Sequence, residues 1–252
     1  MSTKDNPSEI FIWGEYAKKD LIASRILYKN DLINHSIYFL FQAIEKMQKI
    51  DLMSKSIIKS GKEISHNLRL GTSKWIKQSI LKKIKEYRLN VTKNSDLSDS
   101  YIINEKEKQK IIGLIRKDEN LMTMIKGHAI LEKIKPIDQK KNVEKLLSTL
   151  DSELEKMNKM KKELFKESSN DLFFESLNRF LLSLYSYPSY IIYELSPYIP
   201  EQDALRYPDK FKFDAFNSVW GKNFKKIYLH TGEALKSQML LLKLSPSFFK
   251  KS

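Results

Sequence analysis

Arg69 follows His66 by three residues in SHNLRL, the closest approach of a histidine to an arginine anywhere in this 252-residue chain. The two residue types suit phosphodiester cleavage. In-line attack by a 2′-hydroxyl needs a general acid or base titrating near neutrality and a cation to meet the charge on the phosphorane. Beside that reading stands a plainer one, in which His66 caps or packs the start of a helix. The other histidines, His35, His128 and His230, are too scattered to form a motif. The chain has no Cys, which excludes disulfides, thiolate metal sites and Cys nucleophiles. It also shows no carboxylate cluster with metal spacing, no Gly-rich phosphate loop and no Ser-His-Asp candidate. No metal or cofactor is expected.

A second set of residues could hold an anion rather than cleave one. Residues 54–93 carry 11 Lys and Arg against 2 Asp and Glu, so +9 of the net charge of +14 lies in that stretch. Its lysines include Lys74, Lys77, Lys82 and Lys83. A localised basic stripe suits a polyanion, because neutralising phosphates releases condensed counterions; the plain alternative is one solvated face of a Lys-rich protein. Lys46 and Lys49 add two ammonium groups inside the apolar run YFLFQAIEKMQKI, residues 38–50. Glu45 and Lys46 are neighbours and project about 100° apart, so they do not pair as residues one turn apart do. Glu45 is expected to meet a partner on a neighbouring helix, Arg25 or Arg206 for instance. The tyrosines Tyr185, Tyr187, Tyr190, Tyr193 and Tyr198 are expected to sit half-buried with wet hydroxyls, rather than to stack on bases.

Helices must carry these side chains. Seven Gly and seven Pro are few for this length, since average usage gives about 18 and 13, and turn-dense β folds depend on both. Apolar residues recur at helical spacing over 8–28 and again over 34–53, where Ile37, Leu40, Phe41, Ile44 and Met47 form one stripe. Further helices are expected from 66 to 91, over 105–117 and 121–134, over 171–185, and from 216 to a stop at Ser245–Pro246. Val143, Leu147, Leu150, Leu154, Met157 and Leu164 fall on a heptad seam with Lys161 as its one defect, which favours packing inside a bundle over intermolecular coiling. Pro188, Pro197, Pro200 and Pro208 crowd the connection before the last helix. Pro188 and Pro197, with Glu194 and several Ser, also break the most lipid-like segment, FLLSLYSYPSYIIYELSPYI, below the roughly 20 apolar residues of a membrane span. With no signal-peptide pattern at the start, a soluble cytoplasmic protein without a membrane partner is expected.

Against that helical background, four short stretches resemble one family. WGEYAKKDLIASRILYKND followed by HSIYFLFQAIEKMQKI is similar to the opening of HEPN domains. There an aromatic residue, an Ala-x-x-Asp-Leu run and a second helix with Gln-Ala-x-Glu-Lys-x-x-Lys recur; here these are Trp13, Ala17, Asp20, Leu21, Gln42, Ala43, Glu45, Lys46 and Lys49. SHNL, with His66 and Leu68, resembles the His-x-Leu that opens the third helix in the nucleotidyltransferase-associated branch. RYPD, with Arg206, Tyr207 and Pro208, resembles the Arg-Tyr-Pro loop before that family's last helix.

The resemblance implies an all-α, HEPN-like up-down helical bundle elaborated by extra helices. Residues 1–70 and 200–252 would form the core, and 71–199 a helical insertion packed on it. Trp13, Asp20, Gln42, Glu45, His66, Tyr207 and Pro208 take structural roles in this reading. Lys46, Lys49, Arg69, Lys74, Lys77, Lys82, Lys83 and Arg206 are the candidates for anion or nucleic-acid binding. Ribonucleases of the family place a His four to six residues beyond an Arg, across a homodimer interface. No His stands at that spacing after Arg25, Arg69, Arg88, Arg116, Arg179 or Arg206. The resemblance therefore implies a non-catalytic protein that binds RNA, nucleotide or another anionic partner. It further suggests a toxin-antitoxin or antiphage setting, a nucleotidyltransferase partner protein and a homodimer. Two other readings stay open: a divergent metal-independent ribonuclease using His66 and Arg69, and a helical scaffold that recruits a partner along Val143–Leu164.

Overall fold

The computed structural model describes residues 7–64, 68–92, 104–131, 140–164, 170–195, 198–199 and 217–244. Eight α-helices make up most of them: α1 (Pro7–Lys29), α2 (Ile33–Ser54), α3 (Leu68–Thr92), α4 (Glu105–Lys117), α5 (Glu119–Leu131), α6 (Lys140–Leu164), α7 (Asn170–Ser189) and α8 (Lys222–Leu244). No strand occurs among the described residues, as the shortage of Gly and Pro leads one to expect. No described helix is long and apolar enough to cross a membrane. The chain divides into two compact units, Met1–Gly71 with Lys135–Ser252, and Thr72–Ile134.

In the first unit α1 and α2 pack along one another, and the turn between them is set by KNDL. Asp31 takes a left-handed φ of 57°, and the Leu32 N–H reaches back to the Leu27 carbonyl at 2.9 Å. That closure satisfies the last carbonyls of α1, with an Asp where Gly is usual. The end of α2 repeats it: Ser56 has φ 55° and the Ile57 N–H donates to Leu52 O at 2.9 Å.

The sequence pattern predicts one buried stripe on α2, but the helix is buried around nearly its whole circumference. Ile37, Leu40, Phe41, Ile44, Met47 and Ile50 form the apolar core, and Gln42, Glu45, Gln48 and Lys49 are buried with them. Polar groups tolerate that position only with partners. Gln48 shows how: its amide donates to Leu68 O at 3.0 Å and to Ile192 O at 3.3 Å. The neighbouring backbone comes so close that a Cβ on Gly71 would lie 2.0 Å from the Gln48 side-chain oxygen.

Helices α6, α7 and α8 pack on one another in the same unit. Val143, Leu147, Leu150 and Met157 of the heptad seam are buried. The break expected near Pro188 takes another form, because α7 runs through Pro188 and continues as a π-helical stretch, Tyr190–Leu195. Proline supplies no N–H for the helical ladder, and the wider turn follows directly. A second π-helical stretch, Asn217–Gly221, leads into α8. It brings Trp220 edge-on to Phe41, ring centres 4.9 Å apart, and Phe224 one turn later stacks on Tyr28 at 4.1 Å.

The second unit holds α3 from Thr72 onward, with α4 and α5. Among its described residues the buried apolar side chains are Ile76, Ile111 and Leu121. Asn104 caps α4 through a reciprocal pair, accepting from the Glu107 N–H at 2.9 Å while Glu107 accepts from the Asn104 N–H at 3.1 Å. Asp118 caps α5, accepting from the Leu121 N–H at 3.0 Å, and also receives the Tyr87 hydroxyl of α3. That hydroxyl is the main reason the Asp118 carboxyl lies below its ordinary range.

Candidate functional site

The residues that carry the family resemblance on α1 and α2 meet in one charged layer. Lys49 pairs with Glu45 one helical turn earlier at 2.7 Å, and the two side chains are only 5% and 2% exposed. One partner of Glu45 is thus on α2 itself, at the i,i+4 spacing where two side chains face one another, and Arg206, offered as a partner from a neighbouring helix, lies outside the described residues. The Lys49 ammonium also sits 4.7 Å above the Trp13 ring, a favourable place for a desolvated cation.

Trp13 is fixed in turn. Its indole N–H donates to Glu9 at 3.2 Å, and the same Glu9 oxygen accepts from the Ser60 hydroxyl at 2.8 Å and the Gly61 N–H at 3.3 Å. The Ser60 and Trp13 bonds hold the Glu9 carboxyl below its ordinary range. Gly61 lies so close to the indole that a Cβ would fall 2.6 Å from its ring atoms. Lys46 bonds Asp20 of α1 at 2.5 Å and the Gln42 amide oxygen at 3.3 Å. Two lysines offered by sequence as anion ligands are therefore already held by carboxylates. A buried ammonium committed to Glu45 and covered by an indole presents no charge to a phosphate.

The lysines of α3 are placed differently. Lys77, Lys82 and Lys85 are exposed, and none of them has an ion-pair partner among the described residues. With 3.6 residues per turn, Lys74, Lys77, Leu81, Lys85 and Arg88 fall along one side of the helix, a run of about 21 Å. Leu81, more than half exposed, lies within that stripe. Lys83 faces elsewhere, pairing with Glu86 at 3.1 Å and lying 5.5 Å from the Tyr87 ring centre. His66, Arg206, Tyr207 and Pro208 lie outside the described residues, as does the side chain of Arg69.

Two clusters, each built on a buried tyrosine, bring in residues that the sequence did not single out. In the first, the Tyr193 hydroxyl donates to Asp51, which also pairs with Lys55 at 2.6 Å; the Lys55 ammonium sits between the rings of Tyr185 and Tyr193, 5.2 and 5.4 Å from their centres. In the second, His230 of α8 is fully buried between Tyr187 of α7, 2.7 Å from Nδ1, and Asp151 of α6, 3.0 Å from Nε2. Asp151 also holds Lys226 at 2.6 Å. Tyr187 and Tyr193 thus depart from the expected wet, half-buried state, for both are buried with bonded hydroxyls.

Desolvation pushes the Asp151 carboxyl upward, but the bonds from Lys226 and His230 outweigh it and hold the group below its ordinary range. Burial lowers the His230 pKa despite the adjacent carboxylate. Between α6 and the segment after α7 lies a polar cavity of about 260 Å³, lined by Asn142, Lys145, Leu146, Thr149, Glu194 and Tyr198. Loss of solvent raises the Glu194 carboxyl there. Among the described residues no three His, Asp or Glu side chains are grouped to hold a metal ion. No family model, curated protein or solved structure matches the chain.

Proposed function

We propose that this is a HEPN-like, non-catalytic helical protein that binds RNA or another phosphate-bearing partner through the exposed lysines of α3. The observation that carries the binding reading is the exposure of Lys77, Lys82 and Lys85 in the stretch holding +9 of the chain's charge. The HEPN-like reading rests on the residue resemblance, and the meeting of Trp13, Glu45 and Lys49, and of Asp20, Gln42 and Lys46, in the α1–α2 layer agrees with it. A toxin-antitoxin or antiphage setting, with a nucleotidyltransferase partner and a homodimer, follows from the same resemblance.

The test is fluorescence anisotropy with a labelled single-stranded RNA across a salt series. Each phosphate neutralised contributes about −0.7 to the slope of log affinity against log salt, so Lys77→Gln, Lys82→Gln and Lys85→Gln together remove about 2 from it. Affinity that ignores salt, or a triple variant that binds as the parent does, overturns the assignment. Cleavage of the RNA in EDTA would instead favour the ribonuclease reading.

A further inference from the structure

We propose that Tyr187, His230 and Asp151 form a proton-operated latch that clasps α6 to α7 and α8 and loosens when the imidazole is protonated. The cluster joins three helices through one fully buried ring, with a contact on each nitrogen. Asp151 can only accept at near-neutral pH, so Nε2 carries the hydrogen and donates to it. Nδ1 is then bare, and the Tyr187 hydroxyl donates to it. This neutral tautomer uses both ring nitrogens without conflict.

A second ring proton goes to Nδ1, toward a hydroxyl that already points its own hydrogen there. The hydroxyl must turn to accept, and its hydrogen loses its place in the contact. Tyr187 cannot escape by ionising, because burial, then the charges of Glu233 and Asp151, raise its pKa far above the ordinary phenol range. Nε2 already carries its hydrogen on the Asp151 side and the ring is sealed, so the proton enters at Nδ1 only as the Tyr187 contact opens.

The charged groups that bear on the ring are Asp151 from α6, which favours the imidazolium, and Lys226 from α8, which opposes it. The titratable group from α7 is Tyr187, itself influenced by Glu233 of α8. Among the described residues, α1, α2 and the two π-helical stretches, which also pack on α8, contribute no charge to it. Desolvation outweighs the Asp151 attraction, so the folded pKa is lowered. A lowered histidine pKa gives a stabilising contribution that is complete above the unfolded value of about 6.5 and declines as pH falls from there toward the folded pKa. Asp151, held below the ordinary carboxylate range, titrates below that window, and the raised Glu194 carboxyl near α6 acts with the opposite sign, adding stability as it protonates.

The experiment follows the full chain by three readouts. Long-range ¹⁵N–¹H correlation of the histidine rings is expected to show His230 with hydrogen on Nε2 alone at about pH 7.5, still neutral where a free histidine is half protonated, near about pH 6.5. Hydrogen exchange, corrected for the intrinsic pH dependence, is expected to accelerate in α6 between about pH 7 and about pH 5 while α1 and α2 hold. Over the same range the thermal midpoint is expected to fall by about 2–4 °C, and His230→Gln, which keeps one donor and one acceptor, is expected to flatten that fall. A ring with hydrogen on Nδ1, an ordinary titration midpoint, or exchange that rises equally in α2 and α6 overturns the latch. If His230→Gln does not fold, the two parent readouts still decide.

Discussion

The lysines of α2 and those of α3 are chemically identical and physically opposite. Lys49 lies inside the first unit, one turn from its carboxylate and under an indole; Lys77, Lys82 and Lys85 lie on the surface of the second unit. A buried ammonium must be matched locally, because the desolvation of an unpaired ion costs several kcal/mol. An exposed one is hydrated, and its attraction for a distant phosphate is set by its neighbours and by salt. The contrast teaches that a count of charge predicts a binding surface only after the lysines already held by carboxylates are set aside. Residues 54–93 contain only Glu63 and Glu86 as acids, so few of their lysines can be neutralised locally, whereas residues 1–53 balance 7 basic residues with 7 acidic ones.

The comparison breaks most severely at Glu45. Glu45→Ala leaves the Lys49 ammonium buried without its carboxylate, which is expected to cost about 3–5 kcal/mol of unfolding free energy, read from urea denaturation. The paired change Glu45→Leu with Lys49→Met removes both charges and is expected to regain most of that loss. A Glu45→Ala loss below about 1 kcal/mol would place Lys49 in the same class as the α3 lysines. Gly61→Ala attacks the cover over the ammonium instead. The new methyl would sit 2.6 Å from the Trp13 ring atoms, and forcing the indole aside is expected to cost about 1–3 kcal/mol, with a red-shifted tryptophan emission if Trp13 moves toward water.

How much of this was legible in the sequence depends on how far apart the participants stand. The Glu45–Lys49 pair was readable, since both lie on one helix at i,i+4. The bounds of α4 and the seam of α6 were readable for the same reason, because helical periodicity is a local signal. The near-complete burial of α2 was not, because a pattern on one helix cannot count how many neighbours surround it. His230 was illegible for a stronger reason. Its partners, Asp151 and Tyr187, stand 79 and 43 residues away in the chain, and only the packing of α6, α7 and α8 brings them to one point.

Lys46 occupies the middle of the comparison. Its pair with Asp20 is 2.5 Å long, but the two side chains are 15% and 18% exposed, so water shares in stabilising both charges. Lys46→Met is expected to cost about 1 kcal/mol, between the cost of an exposed pair and that of a buried one. A matching loss in Asp20→Asn, with little added in the double variant, would show that the pair acts as a unit.

At the far end, Lys77→Gln, Lys82→Gln and Lys85→Gln together are expected to leave unfolding free energy within about 0.5 kcal/mol of the parent, since surface changes away from caps and buried pairs do little. If anything the protein gains slightly, because removing three like charges from one helix relieves repulsion between neighbours one turn apart. The informative outcome is therefore a dissociation: unchanged denaturation together with weakened, less salt-sensitive RNA binding. A stability loss comparable to that of Glu45→Ala would show that these lysines also brace the fold, and the distinction between a charge that organises the interior and one that meets a partner would fail at the place where it is drawn most sharply.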